Sequence, residues 1–310
     1  MRPVSKALSS RTILWWSVGL AVVAAGAVTL LWVFLGGGDQ VAARRLDALR
    51  TAASLVVGAG GAAALLLAAR RQRYVELDLE QKDHDANERR VTELYGKAAD
   101  QLGSDKAPVR LAGIYALERL AQDQLRHRQT VVNLLCAYLR MPYTPPAGPS
   151  DEVAAQEQLV RMTVQDVLET HLQPGHADRF WPDIDLVLTG TTLEYFWFRD
   201  CRARSATFRH TTFREVVAFR NSEFTENADF HRARFAGSAD LRRTAFGARK
   251  ANFQHVTFDG KVEFGAEPAQ GRTVDLTDAR ARPEFTREWP AGWRDEPSAE
   301  PGYVGLVRDK

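Results

Sequence analysis

Three sets of side chains in this sequence have the types and spacing to do chemistry. His171, His176 and Asp178 fall close together and offer two imidazoles and a carboxylate, the donor types a borderline cation takes. Their spacing fits no standard ligand pattern, so they read as ordinary surface residues. Cys136 and Cys201, the two thiols of the chain, lie far apart among apolar positions, which argues against a disulfide or zinc pair and suits a reducing compartment. The sequence carries no nucleophile elbow, phosphate loop, metalloprotease helix or kinase signature. The sequence therefore points to no enzyme, no catalytic residue, no cofactor, no metal and no small-molecule substrate.

The other two sets are periodic. His210, His231 and His255 recur along the second half of the chain, as do Arg199, Arg220 and Arg242. If the chain coils with the same period, each set becomes a column on one face. A histidine column is a pH-sensitive or metal-binding ladder on the sharp reading and chance surface placement on the bland one, which is preferred. The arginine column is the candidate interaction face, suited to anionic lipid, an acidic partner or nucleic acid. Between residues 186 and 264, thirteen Lys and Arg stand against nine Asp and Glu, a basic excess in a chain whose net charge is only +2. Interspersed carboxylates can cancel that field.

Such columns require an element that turns a corner at a fixed interval. From Leu188 to Phe264 a large apolar residue returns every five or six positions, with seven between Phe246 and Phe253: Leu188, Leu193, Phe198, a weak slot at Ala203, then Phe208, Phe213, Phe219, Phe224, Phe230, Phe235, Leu241, Phe246, Phe253, Phe258 and Phe264. Two places before most of them stands a small or β-branched residue, such as Thr211, Ala228 or Ala251. That period is neither 3.6 nor 2, so a helix or long strand would scatter these side chains over every face. A square coil of four sides keeps them all inside. Where the interval grows to six, the extra residue reads as a bulge at alternate corners. The register then stacks Phe208 on Phe230 and Phe253, and Phe213 on Phe235 and Phe258. Three to four coils at ~4.8 Å spacing give a stub about 15–20 Å tall.

The triplets Ala228-Asp229-Phe230, Ala239-Asp240-Leu241 and Ala251-Asn252-Phe253 resemble the pattern of the pentapeptide-repeat family. The resemblance implies a right-handed quadrilateral β-helix over 186–281. Some members of that family resemble B-form DNA in shape and acidic charge and occupy DNA gyrase; here the charge has the opposite sign and the run is short.

Upstream, Ile13 to Leu35 holds no charged residue over 23 positions, about 34 Å of helix and enough to span a bilayer. A second apolar run, Thr51 to Ala69, ends at Arg70-Arg71-Gln72-Arg73. Small residues recur at every fourth position, Ser17-Ala21-Ala25 and Ser54-Gly58-Ala62, so residues 1–73 are expected to form an N-terminal tail and a two-helix transmembrane hairpin. The same faces could serve a homo-oligomer. Arg2, Lys6, Arg11, Arg70, Arg71 and Arg73 outweigh Arg44, Arg45 and Arg50 of the expected connecting loop, which predicts a multi-pass cell-membrane protein with both termini and the soluble parts cytoplasmic.

Residues 74–142 are expected to form a helical domain. A break is expected at Asp83 to Asp85, followed by a helix to Leu102 ending at Gly103; further helices are expected from Pro108 to about Gln122 and from Gln129 to Arg140. The run VRLAGIYALERLAQD, with the following phrase Cys136 to Pro142, resembles membrane-anchored pentapeptide-repeat proteins of actinobacterial type. Residues 143–185 read as a linker and a capping helix that starts at Ser150, with Trp181 covering the open end of the solenoid. Residues 282–310 read as a C-terminal tail in which Trp289 or Trp293 closes the other end and everything from Glu296 onward is disordered.

The whole is thus expected to be an α+β membrane protein: a non-enzymatic scaffold or interaction module on the cytoplasmic face, with a protein partner whose identity the residues do not name. The alternative is a nucleic-acid or topoisomerase-associated repeat protein held at the membrane, supported only by the basic excess; nucleic acid is the less favoured partner.

Overall fold

The computed structural model describes residues 39–148, 150–247, 251–265, 274–298 and 300–309, with positions 19, 22, 25, 26, 29, 30 and 33. The rest of the expected span Ile13 to Leu35 lies outside the described residues. Two compact units make up the chain, Met1–Asn87 and Glu88–Lys310.

In the first unit the dominant element is helix α1, Asp39–Leu102, which continues into the second unit. It corrects two expectations. The segment expected to connect two spans, with Arg44, Arg45 and Arg50, is helical, and no break occurs at Asp83 to Asp85. That stretch contains no Gly or Pro, and its charged residues are compatible with a helix interior, so only a capping-box coincidence suggested an end. Among the described residues, one helix is long and apolar enough to cross a membrane, Arg50–Leu102. The two-helix hairpin therefore has no support from the described residues.

The second unit is a helical layer followed by a β-solenoid of right-handed type with about four turns. Its helices are the end of α1, then α2 (Ala107–Asp123), a 3₁₀ turn at Leu125–His127, α3 (Arg128–Leu139) and α4 (Glu152–Leu172). Pro108 stands in the first turn of α2, where its missing N–H costs nothing. Gly113 of α2 lies against α1, where a Cβ would come within 2.8 Å of the Ala98 carbonyl. At the start of α4 the cap is Asp151, not Ser150: its Oδ1 accepts from the Ala154 N–H at 3.2 Å. Val91, Leu117, Leu135, Val164 and Trp181 belong to one continuous core with the solenoid's phenylalanines.

Inside the solenoid, parallel strands of successive turns pair in register, for example Thr212 with Arg234 and Thr257 with Arg234 on either side. Phe208, Phe230 and Phe253 stack with ring centroids 4.9 and 4.4 Å apart, and Phe213, Phe235 and Phe258 with 4.7 and 5.1 Å. Phe196 adds a further buried ring that the period alone does not mark.

The corners alternate in kind, which explains the alternating interval. At the five-residue corners an i to i+3 turn closes, as in Thr211 N–H to Phe208 O (3.2 Å) and Ser222 N–H to Phe219 O (3.1 Å). The third residue of each takes a left-handed backbone: His210, Asn221, Arg232, Arg243 and His255 all have φ between 56° and 59°. At the six-residue corners the strand register slips by one residue, between Glu194/Phe196 and Arg214/Val217, and between Ala203/Ser205 and Phe224/Asn227. These are the expected bulges. In the next turn Gly237 packs so closely there that a Cβ would lie 1.6 Å from the Glu215 carbonyl oxygen.

Beyond the insertion at 266–273, Leu276 and Ala281 are buried and the pairing continues onto Val274–Asp275, Arg280–Ala281 and Arg287–Glu288. The expectation of disorder from Glu296 is wrong. Strand Trp293–Pro297 pairs antiparallel with Val304–Arg308, which in turn pairs with Arg280–Ala281.

Candidate interaction face and the covered ends

The three arginines of the candidate face do form a column. The Asp200 N–H donates to the Arg220 carbonyl (3.0 Å) and the Asn221 N–H to that of Arg242 (3.1 Å), so residues 199–200, 220–221 and 242–243 occupy successive turns. Carboxylates occupy the same surface. Arg242 meets Asp240 through two hydrogen bonds, Nε to Oδ1 at 2.8 Å and Nη2 to Oδ2 at 2.7 Å, with Glu263 at 3.9 Å. That hydrogen bonding holds the Arg242 guanidinium above its ordinary value. Burial pulls Asp240 upward, but the bonds and charge of Arg242, with Arg220 beyond, outweigh it and leave the carboxyl below its usual range. Arg199 lies 4.8 Å over the Trp197 ring and 3.9 Å from Glu169. The same local neutralisation recurs at Arg209–Asp229 (3.3 Å), Arg234–Asp259 (2.6 Å) and Arg202–Glu223 (2.6 Å). Part of the basic charge is thus neutralised where it sits, in local ion pairs at Arg202, Arg209, Arg234 and Arg242.

His171 does not face His176 and Asp178 across a loop. It is buried, with Nδ1 2.7 Å from the Arg179 carbonyl and Nε2 2.8 Å from Glu118 Oε1, and its ring stacks on Trp181 at 4.0 Å. Trp181 donates from Nε1 to Gln122 (2.9 Å). His171 is therefore a fastening between α2, the end of α4 and the segment that enters the solenoid. Among the described residues no group of three or more His, Cys, Asp or Glu is placed to hold a metal ion. Both thiols are buried; burial pushes Cys136 up to about 11 and Cys201 higher still, so neither is a ready thiolate.

The histidine column is real. His210 and His231 lie 6.2 Å apart between ring centroids, His231 and His255 5.3 Å, each pair edge to face. Sequence spacing found it, but not its offset: His210 and His255 hold the left-handed corner position, whereas His231 comes one residue earlier and Arg232 holds the corner.

Where α4 meets the first turn there is a buried polar chain that the sequence did not announce. Glu194 is 6% exposed and accepts from Tyr143 Oη (2.7 Å) and Gln158 Nε2 (3.1 Å), with Arg214 at 3.6 Å. Arg161, buried beneath the Tyr143 ring at 4.5 Å, donates to the carbonyls of Tyr138 and Leu139. Glu157 joins Arg110 (3.0 Å) to the Tyr138 hydroxyl (2.9 Å). Burial, then the hydrogen bond to Glu157, pushes Tyr138 up to about 12. The chain fastens helices to solenoid, and every charge in it has a structural partner.

The family model described as pentapeptide repeats (9 copies) matches residues 188–244 and, overlapping them, 219–266. No curated protein matches the chain, and no solved structure does. The matched residues are the same ones whose phenylalanines stack turn upon turn, and on that evidence residues 188–266 of this chain are pentapeptide repeats.

Proposed function

We propose that the chain is a membrane-anchored, non-enzymatic interaction protein whose helical layer and solenoid lie in the cytoplasm and hold a protein partner. The observation that carries this reading is the run 51–69 of α1. It has no charged residue and leaves Val56, Val57, Leu65, Leu66 and Leu67 exposed. A helix apolar on all sides requires lipid or a covering partner. Arg70, Arg71 and Arg73 follow it directly, the flank expected on the cytoplasmic side. The solenoid supplies a rigid body with an occupied interior, suited to display rather than catalysis.

Two measurements test it. The full chain should stay with membranes through alkaline extraction, and a reporter fused after Lys310 that works only outside the cytoplasm should stay silent. Release from membranes, or an active reporter, would remove the anchor or its orientation. Cross-linking from membranes, comparing the intact chain with one truncated at Ser150, should lose the partner with the solenoid.

The nucleic-acid reading draws on the basic excess alone, and the local pairs at Arg209, Arg234 and Arg242 weigh against it. Duplex DNA binding should not exceed the non-specific level, a Kd of roughly 10⁻⁴–10⁻⁶ M at physiological salt. Tight, salt-sensitive binding that disappears when Arg199, Arg220 and Arg242 are all replaced by Gln would reverse the preference.

A further inference from the structure

The histidine column sits on a mechanically important edge. Its residues belong to the turns 208–211, 230–233 and 253–256, each closed by a hydrogen bond from the fourth residue to the first: Thr211 to Phe208 (3.2 Å), Ala233 to Phe230 (2.8 Å) and Val256 to Phe253 (3.3 Å). The same turns are tied to one another by His210 N–H to His231 O (3.0 Å) and Arg232 N–H to Gln254 O (3.0 Å). The three imidazoles lie over this seam, edge against face.

Charge around the seam is unevenly placed. Arg209 and His210 face His231 from the preceding turn, Asp229 and Arg232 from its own, and His255 from the next, with Asp278 3.7 Å from His255. Arg209 spends part of its charge on Asp229 (3.3 Å), whose Oδ1 also accepts from the backbone N–H of His231 (3.0 Å). A neutral His231 fits this setting, whereas an imidazolium there would stand beside Arg209, Arg232 and a second imidazole.

We propose that this edge is a proton-operated latch: with His231 neutral the three turns lie against one another, and a proton on His231, set between the Arg209 and Arg232 side chains, drives them apart and loosens this side of the solenoid while the other turn column stays closed. Burial first, then Arg209, Arg232 and His255, holds His231 below its ordinary value of 6.5, with Asp229 opposing. A base with a depressed folded value stabilises the fold fully above pH 6.5 and loses that contribution as pH falls through the folded value. The latch is therefore shut at neutral pH and opens on acidification.

The second turn column, 219–222 and 241–244, is an internal control. It is closed by the same kind of turn, but its left-handed residues are Asn221 and Arg243, and Asn221 is joined to Asp200 at 2.8 Å. Hydrogen exchange on the full chain in detergent micelles, corrected for intrinsic rates, should be followed between about pH 8 and pH 5. Protection of 208–211, 230–233 and 253–256 should fall several-fold relative to the control column. His231→Gln should reduce that fall, and the variant H210Q/H231Q/H255Q should abolish it. Equal loss in both columns, or a triple variant that opens as the wild type does, overturns the latch. If the triple variant does not fold, His231→Gln alone decides: an unreduced fall overturns it.

Discussion

The two ends of the solenoid face the same problem and meet it with different materials. Each must cover an open row of backbone groups and the mouth of an aromatic axis. At the N-terminal end, helices imitate a strand through single groups. Gln129 of α3 both accepts from the Asp185 N–H (2.9 Å) and donates to the Asp185 carbonyl (2.9 Å), as a neighbouring strand would. The Leu139 carbonyl, at the end of α3, accepts from Thr191 Oγ1 (2.8 Å); one turn later Thr211 Oγ1 makes the equivalent bond to Leu188 O (2.6 Å). Gln173 reaches the Arg199 carbonyl (3.2 Å). At the C-terminal end a real strand, Val304–Arg308, runs against Arg280–Ala281, and Trp289 packs on Phe258 (5.5 Å) and Phe264 (6.2 Å). A borrowed helix surface joins the solenoid's core to that of the helical layer as one cluster, whereas a hairpin merely closes it.

If that contrast is right, breaking the N-terminal end should be felt throughout the unit. Trp181→Ala removes a fully buried ring that stacks on His171 and should cost about 3–5 kcal/mol. Chemical unfolding of the detergent-solubilised chain should show helical and solenoid signals shifting together; a shift in only one would mean that the two cores are separable. Trp289→Ala should cost less, about 1.5–3 kcal/mol, because that ring is only partly buried. Its effect should be local, with hydrogen exchange rising in the last turns and unchanged near Leu188. Gln129→Ala should cost about 1 kcal/mol and unprotect Asp185 specifically, which sharpens the claim that a side-chain amide stands in for a strand. The smallest change is expected at Arg242→Gln. It breaks a partly exposed ion pair, so less than about 1 kcal/mol should be lost in the same unfolding assay.

The sequence made the solenoid's interior legible because a period of five or six admits few geometries, and each Phe had a definite slot. The bulges were legible for the same reason: an extra residue must go somewhere without moving the ring. The ends were harder to read. Strand Trp293–Pro297 is rich in Arg, Asp and Glu, and Pro301 and Gly302 stand between it and Val304–Arg308, so composition marks the stretch as tail; what orders it is a set of partners, Arg287 with Asp295 (2.6 Å) and Tyr303 with Asp259 (2.7 Å), that only the fold brings together. The candidate face is a different case. Its column and the interspersed carboxylates were legible in the sequence, Asp240 standing in the repeat beside Arg242, whereas the pairing of Arg199 with Glu169 was not, because Glu169 comes from α4.

The left-handed corners have an evolutionary consequence. Among the described residues, ten non-glycine positions hold positive φ, Tyr195, Glu215, Arg232 and Arg243 included, although Gly, Asn and Asp adopt that backbone more easily. Turn closure and the ladder bonds on either side impose the conformation whatever the side chain, while interior packing is set two residues before or one after. Natural variation can therefore rewrite the outer edges of the coil residue by residue, at a small and local cost, without consulting the core. A coil of this kind can change its surface chemistry while leaving its architecture untouched.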